Sequence, residues 1–279
     1  MTQTLTPGLY IVATPIGNLQ DISARAVTTL EQAEAIAVED SRVTGKLLHH
    51  LGLKKTMVVY NDHSSAGERA RLVERMAEEA IALVSDAGTP LISDPGYKLV
   101  RDARAAGHAI TSIPGASAAI AALTLSGLPT DRFLFAGFLP SKAKARDRVI
   151  AELAPIRATL VFYESGPRLG KALAALADRL GNRDASMSRE LTKAFEETVT
   201  GTLSELAARY ADVAPKGEIV ITIGPPGDDP PADDADIDAA LIEALTRLPP
   251  GKAATEVAGE LGLKRGPLYQ RALALKNRA

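Results

Sequence analysis

From residue 9 onward the chain repeats one unit, a short apolar run, a turn and then an amphipathic stretch, and few arrangements can bury such a repeat. The apolar runs lie at 9–13, 35–39, 57–60, 81–85 and 109–113. Between them, the stretch 66–80 sets Ala70, Val73 and Ala77 on one helical face and leaves Glu68, Arg69, Glu74 and Arg75 polar. Strands alternating with helices predict a parallel sheet covered on both faces. After Leu128-Pro129-Thr130 the grammar changes. Strands are expected at 133–138, 159–163, 185–189, 197–201 and 218–223, separated by two long helices and one short one. The segment 197–217 is too short for another clean crossover, so this second sheet is expected to be mixed. The expected division is an N-terminal α/β domain at 1–127 and a C-terminal α/β domain at 128–227. An acidic linker follows at 228–238, with six aspartates and two prolines, then a small basic helical tail at 239–279. Within the tail, 253–261, Gly262 and 264–275 have the spacing of a helix-turn-helix, and 247–279 holds seven Lys/Arg against two Glu. A plain three-helix cap fits the same pattern.

Composition removes several chemistries. There is no cysteine, so disulfides, thiolate zinc sites and cysteine nucleophiles are excluded. His49, His50, His63 and His108 lack metal-ligand spacing, and no protein-bound metal is expected. The formal net charge is −2, so a nucleic-acid partner would need a local basic surface. No apolar run reaches the roughly 18 residues of a membrane span, and the N-terminus lacks a signal-peptide pattern, so the expectation is a cytoplasmic protein with no membrane partner.

Ligands of open parallel sheets bind outside the carboxyl ends of the strands. Three loops there are unusual. Thr14-Pro15-Ile16-Gly17-Asn18 has one glycine and no lysine, which argues against a nicotinamide or triphosphate cradle. Residues 85–96, Ser-Asp-Ala-Gly-Thr-Pro-Leu-Ile-Ser-Asp-Pro-Gly, combine glycines that admit a ligand to the backbone with prolines that stiffen the loop. Asp94 before Pro95 reads as a helix cap rather than a catalyst. Residues 113–119, Ile-Pro-Gly-Ala-Ser-Ala-Ala, run from a strand end into a helix start and fit either a ligand or close packing.

The segments VATPIGNLQDISARA (12–26), VEDSRVTGKLL (38–48), SDAGTPLISDPG (85–96), PGASA (114–118), LVFYESGPRL (160–169) and SRELTKAFEE (188–197) together resemble the tetrapyrrole-methylase superfamily. Within it they resemble the branch that 2′-O-methylates a cytidine in the decoding region of small-subunit (16S) ribosomal RNA. The resemblance implies two α/β domains of the class III type, S-adenosylmethionine held in the cleft between them, no metal, and a homodimer acting on the RNA or the 30S subunit. It assigns Ala87, Gly88, Thr89 and Ile92 to a cofactor loop, Ser117 and Ala118 to a second contact, and Glu164 to a strand end facing the cofactor. Gly88-Thr89-Pro90 stands where tetrapyrrole-modifying relatives have Gly-Asp-Pro, which points to the RNA branch. A ribose hydroxyl has a high pKa, so a general base or a cation beside the developing alkoxide is expected. The candidates are a carboxylate among Glu39, Glu164 and Glu190 with Lys193 as catalytic groups, and Arg42, Arg168 and Arg189 for the nucleotide or its phosphates. The competing view makes Glu39/Arg42 and Glu190/Lys193 local salt bridges. Asn61, Asp62 and His63 are a secondary polar cluster, and Lys142, Lys144, Arg146 and Arg148 a basic run of loop or surface helix. The alternatives in function are a tetrapyrrole methyltransferase and a noncatalytic nucleic-acid-binding protein, with a nicotinamide oxidoreductase disfavoured by the missing glycine fingerprint.

Overall fold

The computed structural model describes residues 4–227, 234–261 and 263–276. The chain forms two compact units, Met1–Pro225 and Pro226–Ala279. The first holds both α/β halves.

In the N-terminal half, strands β1 (Gly8–Val12), β2 (Ala35–Val38), β3 (Thr56–Val59), β4 (Ala80–Val84) and β5 (Ile110–Ile113) make one parallel sheet in the order β3-β2-β4-β1-β5. Helices α1 (Ala24–Gln32), α2 (Ser41–His50), α3 (Ala66–Arg75), α4 (Tyr97–Ala105) and α5 (Ala118–Leu125) follow the strands in turn. Alternation along each strand sorts the core. Tyr10, Val12, Ala82 and Val84 face Leu30 of α1 and Leu48 of α2. Leu9, Ile81 and Leu83 face Leu72 of α3 and Leu99 of α4. Thus β1 and β4 lie side by side while their crossovers leave on opposite faces. That opens a crevice at their carboxyl ends, as expected at a topological switch point.

The C-terminal half contains β6 (Phe133–Phe138), α6 (Ala143–Leu153), β7 (Thr159–Ser165), α7 (Gly166–Leu180), β8 (Asp184–Arg189), β9 (Glu197–Thr202), α8 (Leu203–Arg209) and β10 (Glu218–Ile223). Its sheet runs β6-β7-β10-β8-β9, parallel only between β6 and β7. One face is covered by its own helices: Phe162, Ile219 and Ile221 pack on Leu169, Leu173 and Leu206. The other face meets α5, where Val161 and Val220 pack on Ala119, Ala122 and Leu123. Helix α5 is apolar nearly all round, but it buries only Ala119, Ala122 and Leu123 against this sheet and leaves Ile120 and Leu125 exposed.

The basic run Lys142, Lys144, Arg146 and Arg148 forms the start of α6 with Lys142 as its N-cap, so it is a helix and not a loop. The cluster at Asn61, Asp62 and His63 is a turn in which Asn61 Oδ1 accepts the His63 amide at 3.0 Å ahead of α3. It supplies local capping geometry.

In the second unit, α9 (Asp234–Leu245), α10 (Pro250–Leu261) and α11 (Arg265–Lys276) close around Leu241, Val257, Leu268 and Ala272. The stretch expected as a solvated linker needs correcting. Helix α9 starts at Asp234, and Asp234 and Asp238 pair with Arg271 of α11, the latter at 2.6 Å. Acid at a helix N-terminus with a guanidinium opposite stabilises the helix rather than solvating the chain. Residues 228–233 of that linker, and Gly262 of the proposed turn, lie outside the described residues.

Candidate active site

A cleft of about 260 Å³ opens at the carboxyl ends of β1 and β4, with its second wall supplied by the other sheet. Three loops of the N-terminal half are stitched into one rim. Thr14 N donates to Gly88 O at 2.8 Å and Gly88 N returns to Thr14 O at 3.1 Å. Thr89 Oγ1 donates to Ala116 O at 3.0 Å. Gly88 is required here, since its φ is +80° and a Cβ would sit 3.2 Å from Ile16 Cγ2.

Strain concentrates at this site. All four non-glycine residues with positive φ among the described residues, Leu91 (74°), Ser93 (64°), Glu190 (50°) and Thr192 (66°), lie in the two loops facing the cleft. Each such conformation costs about 1 kcal/mol or more and persists only where surrounding bonds over-determine it. On the second loop those bonds are Lys193 N to Glu190 O at 3.0 Å and Thr192 N to Glu196 Oε2 at 2.5 Å.

The cleft is acidic. Among the described residues, Glu39, Asp86, Asp94, Glu164, Glu190 and Glu218 line it with a single lysine, Lys193. Glu164, at the end of β7, is 2 % exposed. Its Oε1 accepts the Ser165 amide at 2.8 Å and pairs with Arg168 Nε at 3.2 Å. Its Oε2 is buried without a hydrogen-bond partner. A buried carboxylate oxygen left unpaired is costly, and its persistence beside a cleft fits a ligand donor or cation that completes it. Burial pushes the Glu39 carboxyl up, aided by Asp86 and Asp94. Tyr163 stands between the halves. Its hydroxyl accepts the Ala119 amide at 3.2 Å, and its ring meets Phe135 and Phe138 edge-on at 4.8 and 5.6 Å.

Of the residues singled out in the sequence, Glu39, Ala87, Gly88, Thr89, Ile92, Ser117, Ala118, Glu164, Glu190 and Lys193 line this one cleft. Three do not. Arg42 is 87 % exposed and binds Asp40 at 2.5 Å, holding that carboxyl down at about 2. Asp40 also caps α2 through the Arg42 amide, so both groups serve the helix start. Arg168 stands behind Glu164 and donates to the Leu139 carbonyl. Arg189 opens onto a separate groove with Glu197. The local pairing considered above holds for Glu190 and Lys193, 3.0 Å apart, and not for Glu39 and Arg42.

Asp94 is no cap. Gly96 (φ +134°) is the residue that starts α4, with no side-chain cap bond, while Asp94 turns into the cleft. Burial raises its carboxyl from 3.8 to about 6, opposed by a hydrogen bond to Ser85 and reinforced by Asp86 and Glu218. Between those two values the folded protein binds the proton that the unfolded chain releases, so stability is fullest below the lower value and falls as pH rises through about 6. Asp94→Asn is therefore expected to raise the melting temperature at pH 7.5 and to leave it near wild type at pH 4. Equal shifts at both values would refute the assignment. Sequence reasoning gave no role to Asp86, in the same loop as Ala87, and passed over Phe138, Tyr163 and Glu218, which packing brings to the cleft. No cluster of metal-ligating groups occurs among the described residues.

The model of the family described as tetrapyrrole (corrin/porphyrin) methylases matches residues 8–207, and that of an RsmI C-terminal HTH domain matches residues 231–276. The chain is 58 % identical over 276 residues to the ribosomal RNA small subunit methyltransferase I of Erythrobacter litoralis, covering 98 % of this chain and 97 % of the relative. It is 47 % identical over 279 residues to the protein of that name from Mesorhizobium japonicum, covering 98 % and 94 %. In fold it is similar to a diphthine synthase (18 % identity, TM-score 0.62, 77 % and 89 % covered). It is also similar to a uroporphyrin-III C-methyltransferase from Thermus thermophilus complexed with S-adenosylhomocysteine (20 %, 0.53, 77 % and 96 %).

Proposed function

The chain belongs to the tetrapyrrole-methylase family and, within it, to the small-subunit ribosomal RNA methyltransferases of type I, and on that premise we propose how its cleft carries out S-adenosylmethionine-dependent 2′-O-methylation of a cytidine in 16S ribosomal RNA. The observation that carries the reading is the unpartnered, buried Glu164 Oε2 in an acidic cleft. That donor set suits a ligand with an ammonium and a sulfonium. Ala87, Gly88, Thr89, Ile92, Ser117, Ala118 and Glu164 would hold it. When bound, S-adenosylmethionine supplies a methyl group already activated for in-line displacement.

The chain's own contribution is alignment and charge. Lys193 Nζ, held 3.0 Å from Glu190 Oε1, is the one cation lining the cleft among the described residues and stabilises the alkoxide that develops at the ribose oxygen. Glu190 takes the hydroxyl proton, and its strained backbone keeps the carboxylate at the mouth. Glu39, whose carboxyl burial raises, is the reserve proton acceptor. Arg168 acts from behind by fixing Glu164. The enzyme is proposed to work in the cytoplasm as a homodimer on the 30S subunit or its RNA, and a solution species of twice 29.3 kDa would support the dimer.

The test is transfer of labelled methyl from S-adenosylmethionine to small subunits lacking the modification, followed by nucleoside analysis. Label in 2′-O-methylcytidine is the expected result. Lys193→Met is expected to lower kcat about a hundredfold, the size of losing one oxyanion-stabilising group, with cofactor affinity within threefold of wild type. Label in another nucleoside, or an unchanged kcat in the variant, would overturn the corresponding part.

A further inference from the structure

The acidity of the cleft raises a question of anchoring. Six carboxylates face one lysine there, while RNA carries a negative charge at every nucleotide and binds through phosphate contacts. The reacting ribose can enter such a cleft, but its flanking phosphates need a different surface. A second, more open groove of about 400 Å³ supplies the opposite charge. It is lined by Arg189, Arg209 and Lys216 with one carboxylate, Glu197. Glu197 holds Arg189 Nε at 2.7 Å and Arg209 Nη2 at 3.5 Å, and the Arg209 guanidinium lies over the Tyr210 ring at 5.6 Å. Lys216 makes no ion pair among the described residues. Two positive charges are left over.

Groove and cleft are joined by the backbone. Arg189 opens to the groove and the next residue, Glu190, to the cleft. Lys216 opens to the groove and Glu218 to the cleft, with Gly217 (φ +94°) between them against Glu190. Strands β8 and β10 pair at this end, Arg189 beside Ile219. Two adjacent segments thus each place a cation on one side and a carboxylate on the other.

We propose that the Arg189–Arg209–Lys216 groove is the docking site for the RNA backbone flanking the methylated nucleotide. Pre-set guanidinium groups, held in place by Glu197 and Tyr210, grip phosphates without first losing much side-chain freedom. The inference rests on the ribosomal RNA reading above.

The experiment compares wild type, Lys216→Met, Arg209→Glu/Lys216→Glu and the control Lys54→Glu, an exposed lysine between α2 and β3. Methyl transfer is measured against subunit concentration and salt, with S-adenosylmethionine affinity measured by calorimetry. The double variant is expected to raise KM for the subunit at least tenfold. Its dependence of log(kcat/KM) on log salt should be shallower by about 1.4, the value for two single-strand phosphate contacts. Cofactor affinity and saturating kcat should stay within twofold. Lys216→Met breaks no ion pair and should give a smaller change of the same kind, and the control should give none. A wild-type KM and salt slope in both groove variants would overturn the groove alone. A matching loss of cofactor affinity would also overturn it, by showing that the residues only support the cleft. No label on subunits from wild type would overturn the RNA reading and the groove with it.

Discussion

Glu164→Gln is expected to weaken S-adenosylmethionine binding about thirtyfold without lowering the melting temperature of the protein alone. The two halves of this result have one cause. In the free protein Glu164 is 2 % exposed, and only Oε1 is used, by Ser165 and Arg168. Oε2 has been taken from water with nothing in return, so an isosteric neutral group loses little there. Arg168 keeps its bond to the Leu139 carbonyl in the variant. When a cationic ligand fills the cleft, the charged oxygen finally gains its partner. A charge-assisted hydrogen bond is worth about 2 kcal/mol, hence about thirtyfold in affinity. Calorimetry and thermal melting of the same preparation read both. A variant that melts much lower yet binds normally would make Glu164 a structural residue and remove it from the cofactor site.

Gly166→Ala is expected to be the most destabilising single-methyl change near the site, at about 3 kcal/mol. Gly166 opens α7 where the backbone of Pro215 crosses it, and an added Cβ would overlap the Pro215 carbonyl oxygen and lie 2.9 Å from its carbon. Neither atom can turn aside as a side chain would. The 215–218 segment has to move, and it carries Lys216 of the groove and Glu218 of the cleft. For a unit of this size the loss corresponds to a fall in melting temperature of about 10 °C. Gly259→Ala, in α10 where a Cβ meets nothing within 4 Å, should instead gain about 0.5 kcal/mol by removing helix-interior glycine. A Gly166→Ala protein that melts like wild type would show that the crossing is looser than this packing.

Much of the active cleft is visible before folding because its loops are marked by local chemistry. Gly88 between Asp86 and Pro90 and the small residues 114–118 have few uses other than close backbone approach. The structure brings both segments together across Thr89 and Ala116. Charged groups were harder to place. Arg42, Arg168 and Arg189 each end a predicted strand or follow one, yet they serve a helix cap, a buried carboxylate and a separate groove. Sequence spacing tells that a charge lies near a strand end. It does not tell which face the pleat presents there, or which neighbour neutralises it. Asp94 shows the same limit. The Asp-Pro pair reads as a helix start, but the helix begins later, at Tyr97, capped by Gly96, whose Cβ would come 3.0 Å from Leu83.

By itself the sequence determined the elements and their order, since apolar period and turn residues act over a few positions. It also pointed to the family whose model matches residues 8–207, through six segments that each contribute to the lining of one cleft. Tertiary structure decided the rest of the electrostatics, adding Asp86, Asp94 and Glu218 to the charges expected in the cleft. Six carboxylates from distant segments share one cleft, Arg189 and Glu190 part to opposite sides of one strand end, and the acidic stretch at Asp234–Asp238 becomes a helix bound to Arg271. The physical reason is range. Burial and charge depend on what crosses within a few ångströms from elsewhere in the chain, and no local pattern specifies that.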